Sequence, residues 1–441
     1  MKFSSRVLAS LCCSTALAAL AAPALANGRP PATVDVRPRS GSTQMVAGTT
    51  FGLTVSSNDG GSWQWVCEDA VGYGGTFDPD YEWSPTSGKL FATSFAGLRT
   101  TMDSCSFELD TGLAGRYIAA ITFGSDGALY AAANDETSLI YRSTDDGKTF
   151  PRVSQANPPF KKYDSWLSIE VAPSDPARVY LAGIRVAAGK PTEFLLYSST
   201  DAATNFSILP LPTFTPTAMS NIELAGVSYS NADVLFVRVT NVAGGGDAIF
   251  RSADGGTTWS ATPVLTKPDS LRAFVVRRSG KVYVGTPTLG SFESTDGISF
   301  TPVAGAPHLN CVSERADGVL FGCTQNYGTP NDGAGIMKST DGVAWSSLLR
   351  YQDISAPQSC ATGTTQKDSC EVEVWCGIRE QLSIASTVIN CPLIVPDGMP
   401  PDAGQPPSSS GGCCETNQTP PSLLLCGLTV VLLAWRKRRK Q

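Results

Sequence analysis

The stretch RSADGGTTWS, residues 251–260, places a hydroxyl, a carboxylate, two glycines and a tryptophan in one short segment. A carboxylate in a turn accepts hydrogen bonds from backbone N–H groups that the turn leaves unpaired, and a serine hydroxyl adds a local partner. Glycine adopts backbone angles that a side chain disfavours, and the tryptophan can cover an apolar face beside the turn. The stretch therefore predicts a tight chain reversal between two β-strands.

This pattern recurs along the chain. Close or degraded copies begin at residues 57, 101, 143, 199, 252, 294 and 339, which is a period of roughly 40–55 residues. A second turn type, a polar turn followed by an apolar strand, alternates with the first, as in Ser125-Asp126-Gly127 before residues 128–133. The carboxylates that the copies place in the turns are Asp59, Asp103, Asp145, Asp201, Asp254, Asp296 and Asp341.

Each repeat has room for about four short strands. In residues 117–154, for example, four segments rich in Val, Ile, Phe, Tyr and Ala alternate with turns. Seven such units predict an all-β fold, a seven-bladed β-propeller over residues 27–350. A two-sheet sandwich is the alternative, but it does not explain why the spacing repeats seven times.

The repeated turn resembles the Asp-box, or BNR repeat, of S-x-D-x-G-x-T-W form, which occurs in sialidases, sortilin-like receptors and related propellers. The resemblance covers about residues 33–350 and is strongest at residues 143–150 and 252–259. It implies that the turn aspartates are structural and lie away from the ligand face. It also implies that hydrolysis of glycans has to be considered, because the family includes glycoside hydrolases.

The N-terminus has the features of a secretory signal peptide. Lys2 and Arg6 supply positive charge, residues 7–20 are apolar and small, and Ala24-Leu25-Ala26 is a small-x-small cleavage pattern. We expect cleavage after Ala26. A buried or membrane helix is the alternative, but the apolar run is short and Pro23 interrupts it.

Export makes the cysteines of residues 27–395 informative, because an even number in an exported domain predicts disulfides. Zinc is the alternative, but CxxC spacing is absent and His308 is the only histidine. We expect one pair across a hairpin, one between the first two blades, and two that join the last four cysteines in either order. These pairs are Cys311 with Cys323, Cys67 with Cys105, and Cys370 and Cys376 with Cys360 and Cys391.

Residues 351–395 break the repeat. Trp375, Ile378 and Leu382 are spaced to share one face of a short helix. The segment is therefore predicted to be a small disulfide-rich helical appendage that packs on the last blade.

Residues 396–421 are rich in Pro, Gly and Ser and predict a solvated linker. An apolar stretch, residues 422–435, and the basic run 436–440 follow. This order predicts a C-terminal membrane helix whose basic end stays cytoplasmic, with the propeller outside. The tail resembles the MYXO-CTERM sorting tail of bacterial surface proteins. The resemblance implies that the protein has a sorting and processing machinery as a partner, and that Cys413 or Cys414 is the site of processing or attachment. A plain membrane anchor is the alternative.

No catalytic or metal-binding constellation is evident, and no cofactor motif is present. Sialidase chemistry needs an arginine cluster, a tyrosine nucleophile and an acid/base carboxylate, but only Val36-Arg37-Pro38 is a faint equivalent of the family's Arg-Ile-Pro motif. Residues 78–82 alternate carboxylates that could ligate calcium, although a solvated loop is the simpler interpretation. Trp63 and Trp65 could stack on a sugar or pack in the core.

The net charge of −6 and the pI near 5.0 disfavour nucleic acid as a partner. The sequence therefore predicts an exported, surface-anchored propeller that binds a protein or glycan ligand without catalysis. A surface glycoside hydrolase and an envelope assembly scaffold are the alternatives.

Overall fold

The computed structural model describes residues 29–136, 138–151, 154–385 and 391. They form seven small, mainly antiparallel sheets, the blades of a propeller. The seven-bladed fold predicted from the repeat is therefore confirmed. In six sheets the first strand in chain order is innermost and the following strands lie progressively outward; in the fourth, the short strand Gln155–Asn157 is outermost and the next strand, Asp164–Val171, is innermost.

Blades I to VII contain the following strands. Blade I has β1 (Thr33–Pro38), β2 (Met45–Thr49), β3 (Gly52–Ser56) and β4 (Gln64–Val66); blade II has β5 (Tyr81–Trp83), β6 (Leu90–Ser94), β7 (Gly97–Thr101) and β8 (Glu108–Leu109); blade III has β9 (Ile118–Phe123), β10 (Leu129–Ala133) and β11 (Ile140–Ser143). Blade IV has β12 (Gln155–Asn157), β13 (Asp164–Val171), β14 (Val179–Arg185), β15 (Glu193–Ser199) and β16 (Asn205–Ile208); blade V has β17 (Ile222–Val227), β18 (Leu235–Val239), β19 (Asp247–Ser252) and β20 (Leu265–Lys267). Blade VI has β21 (Ala273–Val276), β22 (Val282–Thr286), β23 (Gly290–Ser294) and β24 (Thr301–Val303); blade VII has β25 (Cys311–Glu314), β26 (Leu320–Cys323), β27 (Ile336–Ser339) and β28 (Ser346–Leu349).

The innermost strands form a closed ring around a central channel. Strands β1, β5, β9, β13, β17, β21 and β25 contact one another in that order, and β25 contacts β1. At this last seam the Ser313 hydroxyl donates to the carbonyl oxygen of Val36 at 2.9 Å. The seven blades therefore close without a gap.

The core lies between the faces of neighbouring blades. The second strands β2, β6, β10, β18 and β22 are buried along their whole length. A strand that is covered on both faces needs small or apolar residues at consecutive positions rather than in alternation. This explains runs such as LYAAA in β10 and VYVGT in β22.

The chain after blade VII returns to blade I and fastens the ring. A short strand β29 (Ala356–Pro357) pairs in parallel with β4 as the outermost strand of blade I. The disulfides Cys67–Cys370 and Cys105–Cys360 then tie this segment to blades I and II. The predicted pairing of Cys67 with Cys105 is wrong, because each of them binds a cysteine of the returning segment instead.

The appendage contains four described helical or strand elements: the 3₁₀-helix Tyr351–Asp353, strand β29, the π-helix Gln366–Val374 and an α-helix, Trp375–Gln381. A further α-helix, Glu68–Val71, follows β4. Trp375, Ile378 and Leu382 are buried together, as their spacing predicted. The Trp375 ring contacts that of Trp65 at 5.6 Å, and the Tyr327 hydroxyl of blade VII donates to the Leu382 carbonyl at 2.8 Å. The appendage thus packs across the seam of blades VII and I, not on the last blade alone.

The remaining two disulfides are Cys311–Cys323, which joins β25 to β26, and Cys376–Cys391 within the appendage. The first is the hairpin pair expected from the sequence. The second was expected in one of the two orders left open, but its companion pair, Cys370 with Cys360, does not form, because these cysteines bind Cys67 and Cys105 of blades I and II. Blade III differs from the prediction, because its sheet has three strands among the described residues. Residues 155–157, just after this repeat, instead pair in parallel with β16 of blade IV.

Within the described part of the chain, no helix is long and apolar enough to cross a membrane. The predicted cleavage site at Ala26, the linker, Cys413, Cys414 and the tail helix all lie outside the described residues.

Candidate functional site: the central channel

The propeller has two faces, which the strand order defines. One face carries the connections between first and second strands and between third and fourth strands; we call it the turn face. The opposite face carries the hairpins between second and third strands and the connections from one blade to the next. The repeated Ser-x-Asp turns follow third strands, so all of them lie on the turn face.

In blade V this turn is held by a small hydrogen-bond network. The Ser252 hydroxyl donates to Asp254 Oδ1 and accepts from the Gly256 N–H, both at 2.8 Å. The Thr258 hydroxyl and N–H donate to the same carboxylate at 2.6 and 2.8 Å, and these bonds lower the pKa of Asp254. Gly256 has φ of +88°, and a Cβ there would lie 2.6 Å from a methyl carbon of Leu209. The turn therefore favours glycine at this position, and in blade IV Ala203 takes the equivalent place with φ of +64°.

The other predicted turn aspartates occupy the same position, with one exception. In five blades the hydroxyl of the Ser or Thr two residues earlier donates to the carboxylate at 2.7–3.0 Å. These acceptors are Asp103, Asp145, Asp201, Asp296 and Asp341.

Asp59 is the exception, and its prediction as the turn carboxylate of blade I is corrected. The acceptor there is Asn58, whose Oδ1 accepts from the Ser56 hydroxyl at 3.0 Å and from the Ser62 N–H at 2.9 Å. Asp59 instead forms an ion pair with Arg315 of blade VII. An amide oxygen accepts the same hydrogen bonds as a carboxylate oxygen. The sequence pattern therefore assigned the acceptor role to Asp59, one residue after the side chain that has it.

A cavity of about 380 Å³ occupies the central channel, and residues of all seven blades line it. Most of its polar groups project from the innermost strands or from the residues just before them. Its charged lining consists of six carboxylates and three guanidinium groups, namely Asp35, Asp78, Asp80, Glu82, Glu170 and Glu223 with Arg37, Arg238 and Arg272. Carboxylates are therefore in excess.

Arg37 lies at the centre of one group of these charges. Its guanidinium contacts Asp35 at 2.8 Å, Asp80 at 3.1 Å and Glu82 at 2.8 Å. Asp80 also accepts the backbone N–H of Ile121 at 3.0 Å, so it links blades I, II and III. One cation thus faces three carboxylates, and Arg37 is engaged by the protein itself.

Arg238 of blade V forms a second group. It pairs with Glu223 and, at 3.3 Å, with the buried Asp247. Glu170 of blade IV lies on the same channel wall and forms no ion pair among the residues that the structure describes. Among the described residues, Glu170 is thus a channel carboxylate that no cationic side chain contacts directly.

Two carboxyl groups of the channel have raised pKa values, mainly because they are buried. Burial raises the pKa of Glu82 to about 8, against the opposing effect of Arg37, and Asp80 adds to the rise. Burial raises the pKa of Glu170 to about 7, again opposed by Arg37 and reinforced by Asp80. A buried carboxyl keeps its proton when the surrounding charges do not stabilise the anion.

The other candidate residues have defined surroundings. Trp63 and Trp65 are buried, and their indole N–H groups donate to the carbonyls of Leu348 and Phe51 at 3.2 and 2.7 Å, so they pack in the core. His308 contacts Asp332, with Nδ1 3.0 Å from the carboxylate.

The carboxylates of residues 78–82 face arginines: Asp78 pairs with Arg29 at 2.8 Å, and Asp80 and Glu82 pair with Arg37. Within the described residues no group of three or more His, Cys, Asp or Glu side chains is arranged to hold a metal ion. The sequence pointed to Arg37 and to residues 78–82 separately, but it gave no signal that they meet, or that Glu170 and Glu223 join them.

No protein-family model and no curated protein sequence matches this chain. Solved structures do share its fold. The extracellular domain of BT4673 from B. thetaiotaomicron is 11% identical, with a TM-score of 0.50 over 71% of this chain and 38% of that one. PorZ, a surface component of the type-IX secretion system of Porphyromonas gingivalis, is 16% identical, with a TM-score of 0.49 over 71% of this chain and 47% of that one. The chain thus spans less than half of either structure, and at these identities the similarity concerns the propeller fold.

Proposed function

We propose that this chain is a non-catalytic binding protein whose central channel accepts a cationic group of a protein ligand. The observation that carries the proposal is the excess of carboxylates in the channel, with six facing three arginines. An ammonium or guanidinium group in the cavity would provide the counter-charge that Glu170 lacks, and close ion pairs in a partly desolvated site are the ones that contribute to affinity.

The ligand chemistry can be tested with uniform peptides. Deca-lysine and deca-arginine should bind the protein, and deca-glutamate should not. Replacing Glu170 with Gln removes the unpaired carboxylate and should weaken binding about tenfold, because charge-assisted contacts contribute roughly 1.5–3 kcal/mol. Glu373→Gln, on the exposed side of the appendage, is the matched control and should leave affinity unchanged. Equal binding of deca-lysine and deca-glutamate would contradict the proposal.

Glycoside hydrolysis is the second candidate, and the raised pKa values of Glu82 and Glu170 favour it. A carboxyl that holds its proton near neutral pH can act as a general acid toward a glycosidic oxygen. A screen against sialosides and plant or bacterial glycans tests this function. Turnover that Glu170→Gln abolishes would replace the binding proposal. A sialidase mechanism is disfavoured, because Arg37 is occupied by three carboxylates of the protein and is not free for a substrate carboxylate.

We further propose that the protein is exported and held at the cell envelope by its C-terminal tail, with the turn motifs serving as structural Asp-boxes. Four disulfides among the described residues support an oxidising compartment, and the signal-like N-terminus and the apolar, basic tail support export and anchoring. Fractionation of cells that express the full chain or a chain ending at residue 395 tests the anchor. The full chain should sediment with membranes, and the shortened one should be released.

A further inference from the structure

A group of three aromatic rings lies where the channel meets the face opposite the repeated turns. Phe77 belongs to the connection between blades I and II, Phe95 to the turn between β6 and β7, and Tyr117 immediately precedes β9. The ring centroids are 4.5 Å apart for Phe77 and Phe95, 4.8 Å for Phe95 and Tyr117, and 6.0 Å for Phe77 and Tyr117. We call these three residues the rim cluster.

Folding accounts for Phe77, which packs against the core, but not for the exposed ring of Phe95. Phe95 is 59% exposed and sits in a two-residue hairpin turn, since Ser94 pairs with Gly97. Turns of this kind are normally built from Gly, Asn, Asp or Ser, so the turn does not need an aromatic ring. Phe77 and Tyr117 are half-buried, so Phe95 projects from a contiguous, partly exposed aromatic surface. A single isolated apolar side chain would be unremarkable, but a contiguous apolar surface of this kind is typical of an interaction site.

The rim cluster adjoins the carboxylate-lined cavity. Asp78 and Pro79, which directly follow Phe77, belong to the cavity lining. A ligand that enters the channel from this side therefore meets aromatic faces and carboxylates together. The face of an aromatic ring carries negative partial charge and attracts ammonium and guanidinium groups, so both parts of the surface favour the same chemistry.

We propose that the rim cluster is a second binding point for a cationic peptide segment, in which an arginine or lysine side chain lies on the rings while a neighbouring one enters the channel. This inference deepens the proposed function and rests on it. Arginine should be preferred to lysine, because a planar guanidinium stacks on aromatic rings in addition to its charge.

The test measures binding of fluorescently labelled deca-arginine to the full chain and to two variants of exposed loop residues. Phe95→Ala should weaken binding about tenfold, which corresponds to about 1.4 kcal/mol and lies within the range of cation–π contacts. Leu289→Ala is the matched control, because Leu289 is also exposed and lies in the equivalent hairpin of blade VI. It should change affinity less than twofold, and both variants should keep the wild-type melting temperature.

Two further probes separate charge from apolar contact. Phe95→Leu keeps an apolar side chain but removes the ring, and it should weaken binding nearly as much as Phe95→Ala. Deca-citrulline, the uncharged isostere of deca-arginine, should not bind. Equal binding of deca-citrulline, or displacement of deca-arginine by a neutral oligosaccharide in a Phe95-dependent manner, would overturn the inference in favour of an apolar or sugar ligand.

The two proposals fail in different ways. Unchanged affinity in Phe95→Ala together with weakened binding in Glu170→Gln would overturn the rim cluster alone and leave the channel proposal intact. Failure of the wild-type protein to bind deca-arginine would overturn both.

Discussion

Single side chains determine whether the repeated turn between the third and fourth strands of a blade can form. In each repeated turn one hydroxyl is both donor and acceptor, so it fixes the acceptor side chain and pairs a backbone N–H at the same time. The acceptor is a carboxylate in six blades and the Asn58 amide in blade I. This local chemistry explains why the turns could be found from sequence: every group of the network lies within about seven residues. It also explains the error at Asp59, because Asn58 provides the same acceptor and sequence alone does not distinguish the two registers.

We predict that Ser252→Ala destabilises the propeller by about 1–3 kcal/mol. Ser252 is 1% exposed, and its loss leaves the buried N–H of Gly256 without an acceptor, which costs roughly this amount. The midpoint of urea unfolding measures the effect. Thr257→Ala is the control, because the Thr257 hydroxyl only caps an exposed carbonyl of the same turn, and it should change stability by less than about 0.5 kcal/mol. Equal midpoints for Ser252→Ala and wild type would show that the hydroxyl does not stabilise the turn.

Glu170 gives stability a pH dependence of predictable sign. Its folded pKa of about 7 lies above the value near 4.3 of an unfolded chain, so the fold favours the protonated form. This contribution is fully present below pH 4 and is lost as the pH rises through 7. We therefore expect Glu170→Gln to reduce the loss of stability between pH 5.5 and 8.5 by at most about 2 kcal/mol. Urea titrations at both pH values test this; an equal loss in variant and wild type would contradict it.

At the scale of elements, the regular strands of the blades were predictable, but the short strands that pair with distant parts of the chain were not. Buried strands such as β10 and β22 are apolar along their length and are bounded by recognisable turns. Strand β29 has two residues and pairs with a strand almost 300 residues earlier in the chain, so no local pattern marks it. Strand β12 is similar, since its partner β16 belongs to the next repeat.

The disulfides also show that pairing is predictable only between residues that are close in sequence. The pair Cys311–Cys323 was predictable because both residues flank one hairpin, with a sequence separation of 12. The pairs Cys67–Cys370 and Cys105–Cys360 have separations of 303 and 255, and they depend on the ring closure that brings the end of the propeller back to its beginning.

Removing both long-range disulfides should therefore cost more stability than removing the hairpin disulfide. Closing a loop of a dozen residues restricts the unfolded chain by about 3 kcal/mol, and closing one of hundreds of residues by about 5 kcal/mol or more. We expect the variant with Cys67, Cys105, Cys360 and Cys370 changed to Ser to melt well below the variant with Cys311 and Cys323 changed to Ser. Calorimetric melting of the two variants measures this, and the reverse order would show that the appendage does not hold the ring closed.

At the scale of the whole molecule, the ring creates a site that no single repeat contains. Each blade contributes only one or a few residues to the channel, and these residues lie far apart in sequence. Arg37 and residues 78–82 drew attention separately, whereas Glu170 and Glu223 look like ordinary polar positions on alternating strands. Only closure of seven blades brings six carboxylates to one cavity, so the fold was predictable while the site was not.

The electrostatics of this cavity predict that binding of a cationic ligand releases protons. Glu82 and Glu170, with pKa values of about 8 and 7, are partly protonated near pH 7.5. A guanidinium group beside them favours the anions and lowers both pKa values, so protons must leave as the ligand binds. Titration calorimetry with deca-arginine in phosphate and in Tris, whose ionisation enthalpies differ, measures this release. Binding should be more exothermic in the buffer with the larger ionisation enthalpy, because the buffer takes up the released protons. Glu170→Gln should reduce the number of protons released, and Glu373→Gln should not. Enthalpies that do not depend on the buffer, or that indicate proton uptake, would mean that the ligand does not reach the channel carboxylates.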